Sequence, residues 1–183
     1  MNTPPPALGT AAPDFSLPTA DGQQSVSLAD AMGPGGLVVA FICNHCPYVL
    51  AVAERMVEDF KALQAKGVAV VAIMSNDWRR VPDDAPDKMV AFAERYGFDF
   101  PYLVDETQDI ARAYGAVCTP DFFGYDAAGK LAYRGRLDDA RMGDGAGRTP
   151  ELLNAMLAVA DGKSGPLEEA QKPSMGCSIK WSG

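Results

Sequence analysis

Residues 37–48 decide the fold of this chain, and they read Leu37-Val38-Val39-Ala40-Phe41-Ile42-Cys43-Asn44-His45-Cys46-Pro47-Tyr48. The first six are a continuous apolar run of strand length, which is typical of a strand buried on both faces. After Pro47 the apolar residues recur at helical spacing, at Val49, Val52, Met56, Phe60 and Leu63. The two cysteines therefore lie where a buried strand passes into an amphipathic helix. Unpaired N–H groups and the dipole at a helix N-terminus favour negative charge, so we expect a reactive thiolate at the outer cysteine, Cys43.

The composition fits a single domain. The chain has 183 residues, of which 48% are hydrophobic, which suffices for one well-packed core. Its 24 acidic and 16 basic residues give a formal charge of −8, which argues against binding to nucleic acid or to an anionic membrane. No apolar run reaches membrane-spanning length, and the first residues lack the pattern of a signal peptide, so we expect a cytoplasmic protein. In a reducing compartment, four cysteines favour catalysis, sensing or metal binding over structural disulfides.

Pattern and turn signals divide the chain into three parts. We predict an extended lead-in over residues 1–12, a domain over 13–162, and a tail over 163–183 that docks on the domain. A second buried strand at 68–73 after the first helix implies a parallel pair, and two strands around the loop 126–129 indicate an antiparallel hairpin. The remaining predictions are strands at 15–17, 26–28, 102–104, 122–125 and 131–134, a first helix ending at Gly67, a helix capped by Asp87 and ending at Gly97, one from Thr107 to Tyr114, and a last one with Thr149 as N-cap and Pro150 at N1, ending at Ala160.

This order of elements resembles the thioredoxin fold, with a CxxC motif at the first helix and Thr119-Pro120 before the hairpin. The opening residues 12–17 and the extra early strand resemble the AhpC/TSA (redoxin, peroxiredoxin-like) and TlpA-like branches. The ending Gly176-Cys177-Ser178-Ile179-Lys180-Trp181 looks like a feature of a subgroup that carries the CNHCP motif. The resemblance implies an α/β protein with a central mixed β-sheet flanked by helices, extra N-terminal strands and a C-terminal tail.

The resemblance also implies roles for five residues. Cys43 would attack a substrate disulfide, and Cys46 would resolve the mixed disulfide and leave a Cys43–Cys46 disulfide for a reductant to reopen. His45 would favour the Cys43 thiolate and make the disulfide more oxidising. Pro120 would be a cis-proline beside the CxxC motif, which frees the backbone of Thr119 to pair with an extended substrate.

Each of these residues also has a simpler interpretation. The cysteine pair could be half of a zinc site or two inert core thiols, although no second CxxC motif or histidine pair completes a zinc site. His45, the only histidine, could be a solvated loop residue, and Pro120 an ordinary trans proline. Cys118 and Cys177 are candidate further resolving thiols or buried unreactive cysteines, and a disulfide between them is open. We expect no metal and no cofactor.

Two departures from related families bear on function. Aligned on Cys46, the peroxiredoxin threonine is replaced by Cys43 and its proline by Val39, which weakens a peroxidase interpretation. The acid that thioredoxins bury before the CxxC motif is missing from residues 37–42, and Asp77, Glu54 or a water is left to substitute. Trp78, Arg79 and Arg80 follow the second buried strand and are left without a role.

These observations predict a thiol-disulfide oxidoreductase that acts through Cys43 and Cys46. Its partners would be a protein or small-molecule disulfide and a thiol reductant. The alternatives are a peroxiredoxin-like thiol peroxidase, with Cys46 attacking peroxide, and a thioredoxin-fold copper-binding module, because thiolates suit Cu(I).

Overall fold

The computed structural model describes residues 4–183, so residues 1–3 of the predicted lead-in lie outside the described part. Five helices are present: α1 (Leu28–Ala31), α2 (Pro47–Gln64), α3 (Pro86–Tyr96), α4 (Asp109–Tyr114) and α5 (Glu151–Ala160). The strands are β1 (Ser16–Pro18), β2 (Ser25–Ser27), β3 (Gly36–Phe41), β4 (Val68–Met74), β5 (Tyr102–Val104), β6 (Cys118–Thr119), β7 (Asp121–Tyr125), β8 (Leu131–Gly135) and β9 (Cys177–Ser178). Two 3₁₀ turns lie at Pro82–Asp84 and Glu168–Ala170.

The central sheet has the strand order β5-β4-β3-β7-β8. Strand β3 runs parallel to β4, with Val39 opposite Val71, and antiparallel to β7, with Val39 opposite Phe123. The expected mixed sheet and thioredoxin-like architecture are therefore confirmed. The early strands β1 and β2 form a separate antiparallel pair.

Strand β3 is buried on both faces, as its apolar run predicts. Its side chains alternate between two hydrophobic clusters, with Val38 and Ala40 in one and Leu37 and Val39 in the other. The first cluster packs the sheet against α2, α3 and α5, and the second packs it against α1, α4 and the β1–β2 pair. This layering fixes α2, and with it the CxxC motif, against the end of β3.

The predicted helix starts are displaced by one or two residues. Helix α3 has Ala85 as N-cap and Pro86 at its first position, and Asp87 lies inside the first turn, because the fixed φ of proline suits the first helical position. Helix α4 follows Gln108, not Thr107, and α5 follows Pro150, not Thr149. Gln108 has φ of 68°, a left-handed conformation that is rare outside glycine.

Both ends of the described chain are attached to the domain. The lead-in is extended, but Gly9 and Ala12 donate backbone hydrogen bonds to Leu131 and Gly129 of the hairpin, so pairing begins before the expected Pro13. At the other end, β9 pairs with β6, and Ile179 is only 3% exposed. The sequence does not predict β6 or β9, since a two-residue strand has no periodicity to detect. Within residues 4–183, no helix combines the length and the apolar character that a bilayer crossing requires.

Candidate dithiol active site

The two cysteines of the CxxC motif lie side by side beneath the tail. Cys43 lies two residues after the end of β3, and Cys46 is the N-cap of α2. The Cys43 sulfur lies 3.3 Å from Oγ1 of Thr119, and the Cys46 sulfur lies 3.4 Å from the Thr119 carbonyl oxygen. The prediction that Cys43 is the more exposed of the pair is wrong, because both residues are fully buried.

The electrostatic environment places the thiolate on Cys46. A hydrogen bond from Cys43 lowers the pKa of Cys46 to about 4 against the opposing effect of burial, helped by hydrogen bonds from Cys177 and the backbone N–H of Val49. The pKa of Cys43 is raised, because its proton is held in the hydrogen bond to Cys46, its side chain is buried and the charge of Asp84 is near. These directions are the reverse of the expectation that Cys43 holds the thiolate. Two interacting thiols titrate as a unit, so a proton can pass between them.

His45 and Asp84 form a polar pair beside these thiols. Nδ1 of His45 lies 2.8 Å from Oδ2 of Asp84, whose side chain is fully buried. The Asp84 carboxylate also accepts hydrogen bonds of 2.8 Å from the backbone N–H of Asn44 and from Nδ2 of Asn76. The Cys43 sulfur, a ring nitrogen of His45 and an Asp84 oxygen all lie within 4.8 Å of one another. An imidazole and a carboxylate at this distance from a thiol can receive and hold its proton.

Asp84 is the buried acid that residues 37–42 lack. Neither proposed substitute has that place: Glu54 is exposed, and Asp77 accepts a hydrogen bond from the N–H of Arg79 instead. A topological signal could have found Asp84, because the loops after β3 and β4, two adjacent parallel strands, meet at the same edge of the sheet. Cys43, His45 and Asp84 are also the described residues that could hold a metal ion, one ligand short of a closed tetrahedral site.

Thr119 and Pro120 lie against the cysteines, as the resemblance implied, and the bond between them is cis. The backbone of Thr119 is already occupied, because β6 pairs antiparallel with β9 and Thr119 stands opposite Cys177. The Cys177 sulfur lies 2.7 Å from the Cys46 sulfur. Of the two candidate resolving thiols, the structure therefore brings Cys177 into the site.

Cys118 is placed differently. It is half-buried, with its sulfur directed to the Pro120 carbonyl oxygen at 3.8 Å, and burial with the nearby Asp121 raises its pKa to about 12. Cys118 is therefore a protonated thiol at neutral pH. The structure has all four cysteines as free thiols, with no disulfide between Cys118 and Cys177.

A cavity of about 220 Å³ lies between the start of α2, the cis-proline and the tail. Pro120 and Tyr48 line it on the domain side, and residues 172–175 of the tail line it on the other. The exposed cations Arg141 and Lys172 stand at its edge. Trp78 and its neighbours lie elsewhere at this end of the sheet: the Arg79 guanidinium stacks on Trp78, and Arg80 donates to the Trp181 carbonyl oxygen at 3.1 Å.

Comparisons with known proteins agree with this geometry. The model of the AhpC/TSA family matches residues 8–134. The chain is 30% identical to Peroxiredoxin Bcp of Escherichia coli (strain K12), over 70% of this chain and 78% of that protein. It is also 30% identical to thiol-disulfide oxidoreductase ResA of Geobacillus thermodenitrificans, over 68% of this chain and 67% of that protein. A crystal structure of an uncharacterized conserved protein from Geobacillus kaustophilus superposes with a TM-score of 0.90 at 44% identity, over 96% of this chain and 93% of that one.

The family match spans more than half of the chain and includes the CxxC motif, the Thr119–Pro120 bond and the central sheet. The relatives include proteins named as a peroxiredoxin and as a thiol-disulfide oxidoreductase. The chain belongs to the AhpC/TSA family.

Proposed function

We propose that this chain is a thiol-disulfide oxidoreductase that exchanges disulfides through Cys43 and Cys46. The observation that carries the proposal is geometric: the two buried cysteines both lie against Thr119, with the Cys43 sulfur 3.3 Å from its Oγ1 and the Cys46 sulfur 3.4 Å from its carbonyl oxygen. A thiolate with a second thiol in contact can open a disulfide and then release the product. The substrates would be protein or small-molecule disulfides, with a thiol reductant as electron donor.

The proposed cycle begins with the shared proton. When it moves to Cys46, the Cys43 thiolate attacks one sulfur of the substrate disulfide, and the other sulfur leaves as a thiolate. Cys46 then gives up its proton, attacks the Cys43 sulfur of the mixed disulfide and releases the reduced substrate. The proton passes to the His45–Asp84 pair, which lies within 4.8 Å of the Cys43 sulfur that Cys46 attacks. The reductant reverses the sequence on the Cys43–Cys46 disulfide.

Trapping tests the order of attack. In the Cys46→Ser variant a mixed disulfide with the substrate should accumulate on Cys43, since no resolving thiol is present. The Cys43→Ser variant is the matched control, and it should neither trap the protein substrate nor sustain exchange of its disulfide. If both variants keep steady-state disulfide exchange, the proposal is refuted.

A thiol peroxidase is the second candidate, favoured by one observation. Cys46 is the residue with the lowered pKa, and Cys43 donates to it from the position of the peroxiredoxin threonine. In this cycle the Cys46 thiolate reduces a hydroperoxide to an alcohol and becomes a sulfenic acid, and a second thiol condenses with it and releases water. If Cys43→Ser still consumes one equivalent of peroxide per chain while disulfide exchange is lost, this function replaces the first.

We propose a cytoplasmic location, where cellular thiol systems would keep the four free cysteines reduced. Fractionation of cells tests this location, and recovery of the protein outside the cytoplasm would contradict it.

A further inference from the structure

The tail forms a strand along the edge where a substrate chain would pair. Residues Cys177 and Ser178 hydrogen-bond antiparallel to Thr119 and Cys118. The approach is so close that a Cβ on Gly176 would lie 2.0 Å from the Thr119 carbonyl oxygen. Only glycine fits at this position, so the sequence of the tail is adapted to this contact.

Buried polar groups hold the rest of the tail in place. The backbone N–H of Lys180 donates to Oδ1 of Asn76 at 2.8 Å, and its carbonyl oxygen accepts from Nε2 of Gln108 at 2.8 Å. Gln108 also accepts from the N–H of Ser182, and the Trp181 ring lies 4.5 Å from the guanidinium of Arg112. Gln108 is 1% exposed, and its rare left-handed backbone persists because these contacts fix it. The tail therefore docks in one register, and this register sets the position of Cys177.

That position brings a third thiol to the dithiol. The sulfurs of Cys46 and Cys177 are 2.7 Å apart, so an approach of about 0.7 Å would give the bond length of a disulfide. Among the four cysteines, Cys177 is therefore the one whose sulfur is in contact with the Cys46 sulfur. A thiol held this close reacts as if it were present at a very high concentration.

We propose that Cys177 is a third redox thiol of this enzyme, and that it forms a disulfide with Cys46 while the tail strand acts as an internal substrate. Starting from the Cys43–Cys46 disulfide, the Cys177 thiolate attacks the Cys46 sulfur. The Cys46–Cys177 bond forms, the Cys43–Cys46 bond breaks, and Cys43 leaves as a thiolate that takes up the proton lost by Cys177. The step needs no outside oxidant, because one disulfide is exchanged for another.

Two consequences follow for the cycle. An external disulfide-bearing chain can pair with Thr119 only when the tail has left, so the tail competes with the substrate for one site. The Cys46–Cys177 disulfide holds the tail in the site, and reduction of that bond releases it. This inference rests on the proposed function for its role in turnover, but the formation of the disulfide can be measured without turnover.

The test uses oxidised glutathione and the full-length Cys43→Ser variant, which keeps Cys46, Cys118 and Cys177. Cys46 should first form a mixed disulfide with glutathione. Cys177 should then attack the Cys46 sulfur and release reduced glutathione. Peptide mass mapping after alkylation should find Cys46 linked to Cys177 and Cys118 alkylated.

Removal of each remaining thiol decides which one reacts. With Cys177→Ser added, the glutathione mixed disulfide should persist, whereas with Cys118→Ser added the linked pair should still form. The inference is overturned if the mixed disulfide persists in Cys43→Ser itself, or if removal of Cys118 rather than Cys177 prevents closure.

Substitutions at two glycines of the tail test the role of the tail strand while Cys46 and Cys177 stay unchanged. Gly176→Ala in the Cys43→Ser background should slow closure of the disulfide about tenfold or more, because the methyl group pushes Cys177 away from the site. Gly183→Ala is the matched control, since a Cβ there meets no atom within 4 Å, and it should close at the parent rate. Equal closure rates in the two variants would contradict the role of the strand.

Turnover of the unmodified enzyme separates the two proposals. If the enzyme exchanges disulfides but Cys43→Ser forms no Cys46–Cys177 bond, the inference fails and the proposed function stands. If the bond forms but the enzyme turns over no disulfide, the proposed function fails instead.

Discussion

Nδ1 of His45 lies 2.8 Å from Oδ2 of Asp84, and both residues flank the sulfur of Cys43. The carboxylate is completely enclosed, and its hydrogen bonds come from Asn44 and Asn76. The His45 imidazole lies beside this buried carboxylate, and His45 itself belongs to the turn that carries the two thiols. Proton transfer and redox potential at the dithiol should therefore respond separately to the two residues.

Asp84→Asn should slow disulfide exchange about a hundredfold at neutral pH, because the amide cannot accept the proton lost when the dithiol is oxidised. The amide oxygen can still accept from the N–H of Asn44, so the turn should remain in place. Stopped-flow exchange with a small disulfide measures the rate. Asp83→Asn changes the exposed neighbouring acid and is the matched control. Equal rates in the two variants would exclude Asp84 as a proton acceptor.

His45→Ala should lower the reduction potential of the Cys43–Cys46 disulfide. Without the imidazole, the negative charge of Asp84 faces the dithiol uncompensated, which disfavours a thiolate and destabilises the reduced form. A shift of roughly 30 mV corresponds to about 1.4 kcal/mol. Equilibration with a dithiol redox buffer measures the potential. His45→Gln keeps a hydrogen-bonding group, so its potential should lie between those of the unmodified protein and His45→Ala. An unchanged potential in His45→Ala would contradict the role of His45.

The dithiol should titrate at unusually low pH. One thiolate per chain should appear with a pKa of about 4. The ultraviolet absorbance of the thiolate in the reduced protein measures this titration. Cys46→Ser should remove this transition. Cys43→Ala should move it to higher pH, because the hydrogen bond from Cys43 is the largest cause of the lowered pKa. Thiolate absorbance that emerges only in the alkaline range would show that the charge is not held on Cys46.

Asp121 should make the protein less stable as the pH rises. Burial raises its pKa from 3.8 to about 7 in the folded state, so the folded protein holds a proton in this interval that the unfolded chain has lost. The contribution of Asp121 to the free energy of unfolding is thus greatest below about pH 4 and is lost as the pH rises through 7. The change in the free energy of unfolding caused by Asp121→Asn should be more favourable by roughly 3 kcal/mol at about pH 8 than at about pH 4. Urea unfolding at both values measures the difference, and an equal effect at both would contradict the raised pKa.

The buried strands of the sheet could be predicted because strong local patterns mark them. The apolar runs at 37–42 and 68–73 fall on β3 and β4, and Gly97 ends α3, whereas α2 ends at Gln64, three residues before the predicted Gly67. Helix starts are predicted less accurately: Asp87 carries a side chain typical of an N-cap, but the N-cap of α3 is Ala85, two residues earlier. Such a choice depends on the packing of the preceding loop, which no local pattern encodes.

The fold brings together residues that local motifs single out, but their electrostatic environment cannot be predicted from those motifs. The CxxC motif and Thr119-Pro120 are local signals, whereas the burial of Cys43 and the thiolate on Cys46 depend on contacts between distant parts of the chain. Asp84 reaches the site from a loop 40 residues beyond Asn44, and Cys177 from 131 residues beyond Cys46. Burial and charge at the dithiol are therefore tertiary properties.

The stacking of Trp181 on Arg112 gives the tail an optical signal of its own. The chain has two tryptophans, so Trp78→Phe would leave Trp181 as the only indole emitter. An indole that leaves a guanidinium for bulk water changes the wavelength and lifetime of its fluorescence. Departure and return of the strand could then be timed in the millisecond range, with no dye attached to any cysteine.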